Sequence, residues 1–197
     1  MGGDGVISEE YAEQNRLLHQ RQAKFGYGGG QYAGRVYGLI ATWQPKTVLD
    51  YGCGKGGLEL AVRSLAANGS SWRPINGKKL RIYVTAMPEW FSYDPAIPGR
   101  ETIPDLPCDM LVCTDVLEHV ETEFIEETMA TLARLTGKVA LLTIGLRKSN
   151  KTLPDGRNAH LIIKDREWWR DLIGQHFAHR VDLPWRRQNV FMVAAFQ

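Results

Sequence analysis

The sequence predicts a doubly wound α/β fold with a mostly parallel sheet, and three observations carry that prediction. Thr47-Val48-Leu49 reads as a short buried strand. It runs into a glycine turn, Asp50-Tyr-Gly-Cys-Gly-Lys-Gly-Gly57, and then into a helix marked by Leu58, Ala61, Val62 and Leu65. Met110–Cys113 and Val139–Ile144 are continuous apolar runs, the pattern of strands buried on both faces. Helical stripes alternate with these strands, which calls for helices on both sides of one sheet.

Taken in order, residues 1–8 look frayed, and 9–23 are polar and helix-prone with Tyr11, Leu17 and Leu18 as apolar anchors. That segment reads as a helix on the surface. Phe25–Gly30 is a glycine loop carrying aromatics, a lid or a linker. Tyr32, Val36, Leu39, Ile40 and Trp43 recur at helical spacing until Pro45 ends the helix. Asn68-Gly69 and Asn76-Gly77 mark turns. Leu80–Thr85 and Trp90–Tyr93 are strand-like, either a hairpin or one of them an inserted edge strand. Phe124, Ile125, Thr128, Met129, Leu132 and Leu135 form a stripe, with Gly137 placed as a C-cap. Asp165 caps a helix carrying Trp168, Trp169, Leu172, Ile173 and Phe177. Val190–Phe196 is the last strand, expected to run antiparallel.

The 197 residues suit one domain over 1–197, with 1–30 as a helical arm and glycine loop. A net charge of +2 does not point to nucleic acid. The pairs Lys78-Lys79 and Arg186-Arg187 read as solvated surface charge. Cys53, Cys108 and Cys113 are odd in number and lack Cys-x-x-Cys spacing, which argues against a disulfide framework or a zinc knuckle. They read as small packing residues in a reducing compartment. No apolar run approaches a membrane span, the start of the chain lacks a signal-peptide layout, and Val6 fails the myristoylation pattern. The expectation is a cytoplasmic protein with no membrane partner.

Gly52, Gly54 and Gly57 satisfy G-x-G-x-x-G between a strand and a helix, so backbone can approach a ligand and free N–H groups can face an anion. A phosphate-binding P-loop needs Lys-Ser or Lys-Thr after the last glycine, and neither follows. A dinucleotide site needs an acid about twenty positions on. Residues 68–77 contain none.

The run Val48–Gly57 resembles the first motif of class I S-adenosylmethionine-dependent methyltransferases, a Rossmann-like fold. Val116-Leu-Glu-His-Val120, following the strand Asp109–Cys113, resembles a second hallmark of one branch. The likeness covers about residues 36–146. It implies S-adenosylmethionine as cofactor, with contacts from Asp50, Tyr51, Gly52, Cys53 and Gly54, from Asp94 and Pro95, and from Thr114 and Asp115. In the family, the position of Asp50 receives the methionyl ammonium, where a charge-assisted bond is strong. Gly52 and Gly54 let the backbone pass the cofactor. Asp94 takes the ribose hydroxyls, with Glu89 as its rival. Only Pro95–Cys108 is available for the helix and third strand usual in that family, so that helix is expected to be lost or reduced to a turn.

Transfer from a sulfonium needs mainly an aligned nucleophile, and a base only if the acceptor arrives protonated. The catalytic candidates are Asp115, Glu118, His119 and His160. Asp115 and Glu118 share a helix face if a helix starts there, and acids at such a start are also good electrostatics. His160 lies in the polar run Lys151–His160, which resembles a segment of small phage-encoded methyltransferases. There Arg157 and Asn158 could orient an acceptor, while Pro154-Asp155-Gly156 also reads as an ordinary turn. His119 and His160 are expected to face one cavity.

The leading reading is methyl transfer to a small-molecule or nucleotide acceptor. Asp115-x-x-Glu118-His119 with His160 also resembles the metal set of small-RNA 2′-O-methyltransferases, with Asp where those have Glu. A third reading is a regulator that binds the cofactor without turnover.

Overall fold

The structure is a computed structural model. It describes residues 7–22, 25–68, 71–75, 78–82, 84–183 and 189–195, with side chains described outside 69–83 and 182–197. Met1–Val6, the glycines of the turns at Asn68-Gly69 and Asn76-Gly77, Asn76, the pair Arg186-Arg187 and Phe196 lie outside the described residues.

The elements are α1 (Glu9–Arg21), α2 (Ala33–Trp43), β1 (Thr47–Tyr51), α3 (Gly57–Ala67), β2 (Ser71–Ile75), β3 (Lys78–Ile82), β4 (Glu89–Tyr93), β5 (Cys108–Thr114), α4 (Ile125–Leu135), β6 (Thr136–Gly145), α5 (Arg166–His176), β7 (Arg180–Leu183) and β8 (Asn189–Ala195). A 3-10 turn, Gly28–Tyr32, leads into α2. Six strands form one sheet in the order β4-β1-β5-β6-β8-β7. The first four are parallel, and β8 and β7 add in antiparallel sense. This is the doubly wound, mostly parallel sheet with an antiparallel last strand that the sequence predicts.

Alternation along the central strands explains the two-sided core. Met110 and Val112 of β5 face α2 and α3, together with Val139 and Leu141 of β6. Leu111 and Cys113 face α4 and α5, together with Ala140, Leu142 and Ile144. Trp169, Met129 and Leu132 are fully buried there, each worth roughly 1.5–3 kcal/mol of apolar burial.

Local chemistry sets the helix ends. The Ser8 hydroxyl accepts from Tyr11 N–H to start α1, and the Asp165 carboxylate accepts from Trp168 N–H to start α5. Gln44 takes a left-handed φ of 46° just before Pro45 and closes α2. Gly137 is not the cap of α4. It lies inside β6, where a Cβ would stand 2.8 Å from the Cys108 carbonyl oxygen. The cap is Thr136, whose hydroxyl donates to the Leu132 carbonyl.

Of the two readings of Leu80–Thr85 and Trp90–Tyr93, the edge strand holds and the hairpin does not. Lys78–Ile82 and Glu89–Tyr93 do not pair with each other. The first pairs with β2 as a separate antiparallel hairpin, and the second is the parallel edge of the main sheet. The segment from Pro95 to Pro107 holds no helix, as expected, and it holds no strand either, so among the described residues nothing pairs outside β4. The chain runs from β1 outward to β4 and then returns to β5 on the other side of β1. That reversal opens a crevice at the C-terminal ends of β1 and β5.

Candidate functional site

A cavity of about 370 Å³ fills that crevice, and all twelve residues assigned above to cofactor or catalysis line it. Glu89, the rival to Asp94, does not. It is exposed and registers with Thr47 at the opposite, N-terminal end of the strands.

The floor is built from β1. Asp50 is 1% exposed, and one carboxylate oxygen is buried with no hydrogen-bond partner. Burial pushes its pKa up to about 7, with Glu59 adding repulsion and Arg100 opposing it. A buried carboxylate with an unpartnered oxygen costs free energy unless a cation completes it. An ammonium would do so. Asp94, just past β4, takes backbone N–H bonds from Gly54 and Ala96, one on each oxygen. Each oxygen keeps a lone pair for a further donor.

Gly52 and Gly54 both have positive φ, 73° and 52°. The space they leave is taken by protein. A Cβ on Gly52 would strike Val116, and one on Gly54 would strike the Gly26 carbonyl. The glycine turn is thus clamped between the strand-end loop and the arm. Arg100, from the shortened 95–107 segment, donates to the Gly54 carbonyl at 3.0 Å and to the Cys53 sulfur at 3.4 Å. Burial holds the Cys53 thiol up near 12, so it packs as an inert group, and all three cysteines are free and buried.

The far wall follows β5. Asp115 has φ 54°, a left-handed conformation uncommon outside glycine but tolerated by Asp. Three side chains fix its carboxylate: Tyr32 at 2.7 Å, Thr143 at 3.1 Å and Gln31 at 3.3 Å. Glu118 and His119 lie not on an α-helix but on a 3-10 turn, Leu117–His119. Glu118 is fully buried and accepts from Gly145 N–H at 2.6 Å. Its second oxygen has no partner among the described residues. Burial, reinforced by the Asp115 charge, holds its pKa well above the ordinary range.

The rings of His119 and His160 meet edge to face, with centroids 4.7 Å apart. His160 Nδ1 donates to the Arg147 carbonyl, which leaves Nε2 as its acceptor. Burial, then His160, push His119 down to about 3, so its ring is neutral. Its hydrogen bond with the Ala159 backbone carbonyl orients that ring. Among the described residues, Glu118, His119 and His160 form a group with one potential ligand atom each, all within 4.8 Å of one another. Gly145 makes room for it: a Cβ there would stand 2.6 Å from Glu118 Oε1 and 2.8 Å from His160 Cε1.

The arm is not a bystander on the surface. Tyr11 and Leu18 of α1 are buried against Leu153 and Ala159 of the 147–165 loop. Tyr11, Asn15, His19 and Phe25 line the cavity. Ser8 donates twice to the Glu121 carboxylate, and Lys55 Nζ donates to the His19 and Gln22 carbonyls at the end of the helix. Tyr27, one of the two aromatics of the glycine loop, is half-exposed with Lys55 5.7 Å from its ring centroid; the loop's lining residues are Phe25, Gly26, Gly28 and Gly29.

Arg157 and Asn158 do not line the cavity. Arg157 pairs with Asp155 on the Pro-Asp-Gly turn. Asn158 spends its amide on Ser149 N–H, the Ser149 carbonyl and His160 N–H, and so positions His160. Sequence reasoning missed Tyr32, Thr143, Arg100 and the cavity face of α1. Each acts across a long sequence separation that no local spacing reports.

No protein-family model and no curated protein matches the sequence. Solved structures do match by shape. A candidate O-methyltransferase from Nostoc punctiforme superposes with TM-score 0.56 at 13% identity, covering 85% of this chain and 56% of that one. The small RNA methyltransferase HEN1 gives 0.60 at 13% identity, covering 85% and 25%. The 1,6-didemethyltoxoflavin-N1-methyltransferase of Burkholderia thailandensis, solved with S-adenosylhomocysteine, gives 0.53 at 16% identity, covering 99% and 91%. The chain thus spans little more than half of the first of these proteins, a quarter of the second and nearly all of the third. With its sheet order and the ligand-sized crevice at the ends of β1 and β5, this chain has the class I methyltransferase fold.

Proposed function

We propose that the chain binds S-adenosylmethionine in the β1–β5 cavity and transfers its methyl group to a small-molecule or nucleotide acceptor. The observation that carries this is the orphaned oxygen of Asp50 at the cavity floor. The ammonium would be held there, the ribose hydroxyls by Asp94, and the rest of the cofactor along Tyr51–Gly54, Pro95, Thr114 and Asp115. When bound, the cofactor supplies a methyl group already activated by its sulfonium. The chain's own contribution is then position and exclusion of water. Arg100 and Gly26 hold the glycine turn, Tyr32 holds the strand-end loop, and α1 roofs the cavity. His160, with Nε2 as acceptor, takes a proton from a hydroxyl or amide acceptor. Thermal melts test the binding step: S-adenosylhomocysteine raises Tm with concentration in the native chain and in His160→Ala, whereas a Tm indifferent to it contradicts the proposal.

A second reading has one specific observation in its favour. Glu118, His119 and His160 converge, and each histidine also bonds a backbone carbonyl, as metal-bound imidazoles commonly do. In that reading transfer is metal-assisted, as in RNA 2′-O-methylation. Equilibrium dialysis with Zn²⁺ or Mn²⁺ decides it. One ion per chain, lost in His119→Ala, supports a metal, and no retained ion removes it. Neither the +2 charge nor the cavity wall singles out nucleic acid as acceptor.

A further inference from the structure

Tyr11, His19, Phe25 and Lys151 of the cavity wall make no contact assigned above to cofactor or proton transfer. They form one cluster. The Lys151 ammonium lies 4.3 Å from the centroid of the Phe25 ring, and His19 meets the same ring edge-on at 4.5 Å. The Tyr11 hydroxyl is buried beside the Asn15 side chain, and His19 Nδ1 is buried with no hydrogen-bond partner among the described residues. Tyr11 itself is 2% exposed. Buried polar atoms are rarely left this way without an absent partner.

The charge around them is one-sided. Lys151 pairs with no carboxylate among the described residues. Burial lowers its proton affinity, and no acid is near enough to offset this. His19 is pushed down to about 4, first by burial and then by Lys55 and Lys151. The acids nearby are already committed. The Asp115 carboxylate is held by Tyr32 and Thr143, the Glu118 carboxyl receives Gly145 N–H, and Glu121 receives Ser8. A cavity wall with an unpaired cation, an orphaned imidazole nitrogen and a buried phenol attracts an anion.

We propose that Lys151, His19 and Tyr11 form an anion subsite that holds a carboxylate or phosphate of a small-molecule acceptor. This rests on the cavity being a methyl-transfer site, whose substrate class it narrows. Phe25 presses the lysine toward the anion and keeps water from its stem.

The test uses the full chain saturated with S-adenosylhomocysteine, so that the cofactor's own carboxylate is already accommodated. Inorganic phosphate and benzoate are each titrated while the His19 ring resonances are followed by NMR. At least one probe is expected to bind, shift His19 and raise its pKa. Lys151→Met is expected to weaken that probe fivefold or more, Lys151→Arg to stay within twofold, and both to bind S-adenosylhomocysteine as the native chain does. The probe that binds tells phosphate from carboxylate. Binding of neither probe, equal binding by Lys151→Met, or displacement of S-adenosylhomocysteine by the anion overturns the subsite. The last result would assign Lys151 to the cofactor's carboxylate. Anion binding that depends on Lys151 in a chain that never binds S-adenosylhomocysteine would uphold the subsite and remove the methyltransferase reading.

Discussion

The Tyr32 hydroxyl stands 2.7 Å from both carboxylate oxygens of Asp115, across 83 residues of sequence. Asp115 is the left-handed pivot on which β5 turns into the loop carrying Glu118 and His119. The contact therefore ties the mouth of α2 to the reactive wall of the cavity. Tyr32→Phe removes one buried hydroxyl bound to a charged group, worth roughly 1.5–3 kcal/mol. The expected result is a folded chain with a lower Tm and a several-fold loss of transfer. Asp115→Asn keeps the left-handed turn, whereas Asp115→Val meets a backbone a β-branched residue disfavours and should unfold at clearly lower denaturant. Equal denaturant midpoints for these two would contradict the pivot.

Asp50 sets ligand binding against stability. Its folded-state pKa, about 7, lies above the ordinary 3.8. The folded state therefore holds a proton that the unfolded state releases, so Asp50 costs stability progressively as pH rises from about 4 through 7. Asp50→Asn removes that loss. Its Tm should match the native chain near pH 4 and exceed it at pH 8 by on the order of 10 °C, given roughly 2–4 °C per kcal/mol at this size. A lower Tm at pH 8 would show that Asp50 already has a cationic partner without ligand.

The same carboxyl makes cofactor binding release a proton. An ammonium lowers the pKa of Asp50, so the complex favours the ionised form. Between pH 7.5 and 6 the affinity for S-adenosylhomocysteine should fall about fivefold to tenfold. Calorimetry in buffers of different ionisation enthalpy should detect about half a proton released at pH 7. Affinity independent of pH over this range would place the ammonium elsewhere.

Much of the layout is legible in the sequence because it is local. Apolar runs mark β5 and β6, Asp165 and Pro45 mark helix ends, and the distance from Pro95 to Cys108 leaves no room for a helix there. The residues lining the cavity are legible because Asp50, Asp94 and Asp115 sit at strand ends, and parallel strands bring their C-terminal ends together. What the sequence hides is pairing at a distance. Nothing near Tyr32 announces Asp115, and nothing near Lys55 announces the end of α1. Gly137 has the spacing of a cap, yet its small size serves the approach of β6 to the Cys108 carbonyl. Phe25 and Tyr27 are equivalent as text. Only the packing of Gly57 against Tyr27 decides which of them faces the cavity.

Lys55 holds the arm, because its ammonium donates to the His19 and Gln22 carbonyls where α1 ends. Cations there also suit the helix dipole. Lys55→Ala should speed tryptic cleavage after Arg21 several-fold, and S-adenosylhomocysteine should slow cleavage in the native chain. Cleavage indifferent to both would mean that the arm is not part of the binding wall.

The most direct measurement is calorimetric titration of S-adenosylhomocysteine into the native chain and into Asp50→Ala at pH 7.5. One site per native chain is expected, weakened at least tenfold in the mutant, or about 1.4 kcal/mol. Equal affinity in the two chains, or binding of NADH in place of S-adenosylhomocysteine, would contradict the assignment of this cavity to the methyl donor.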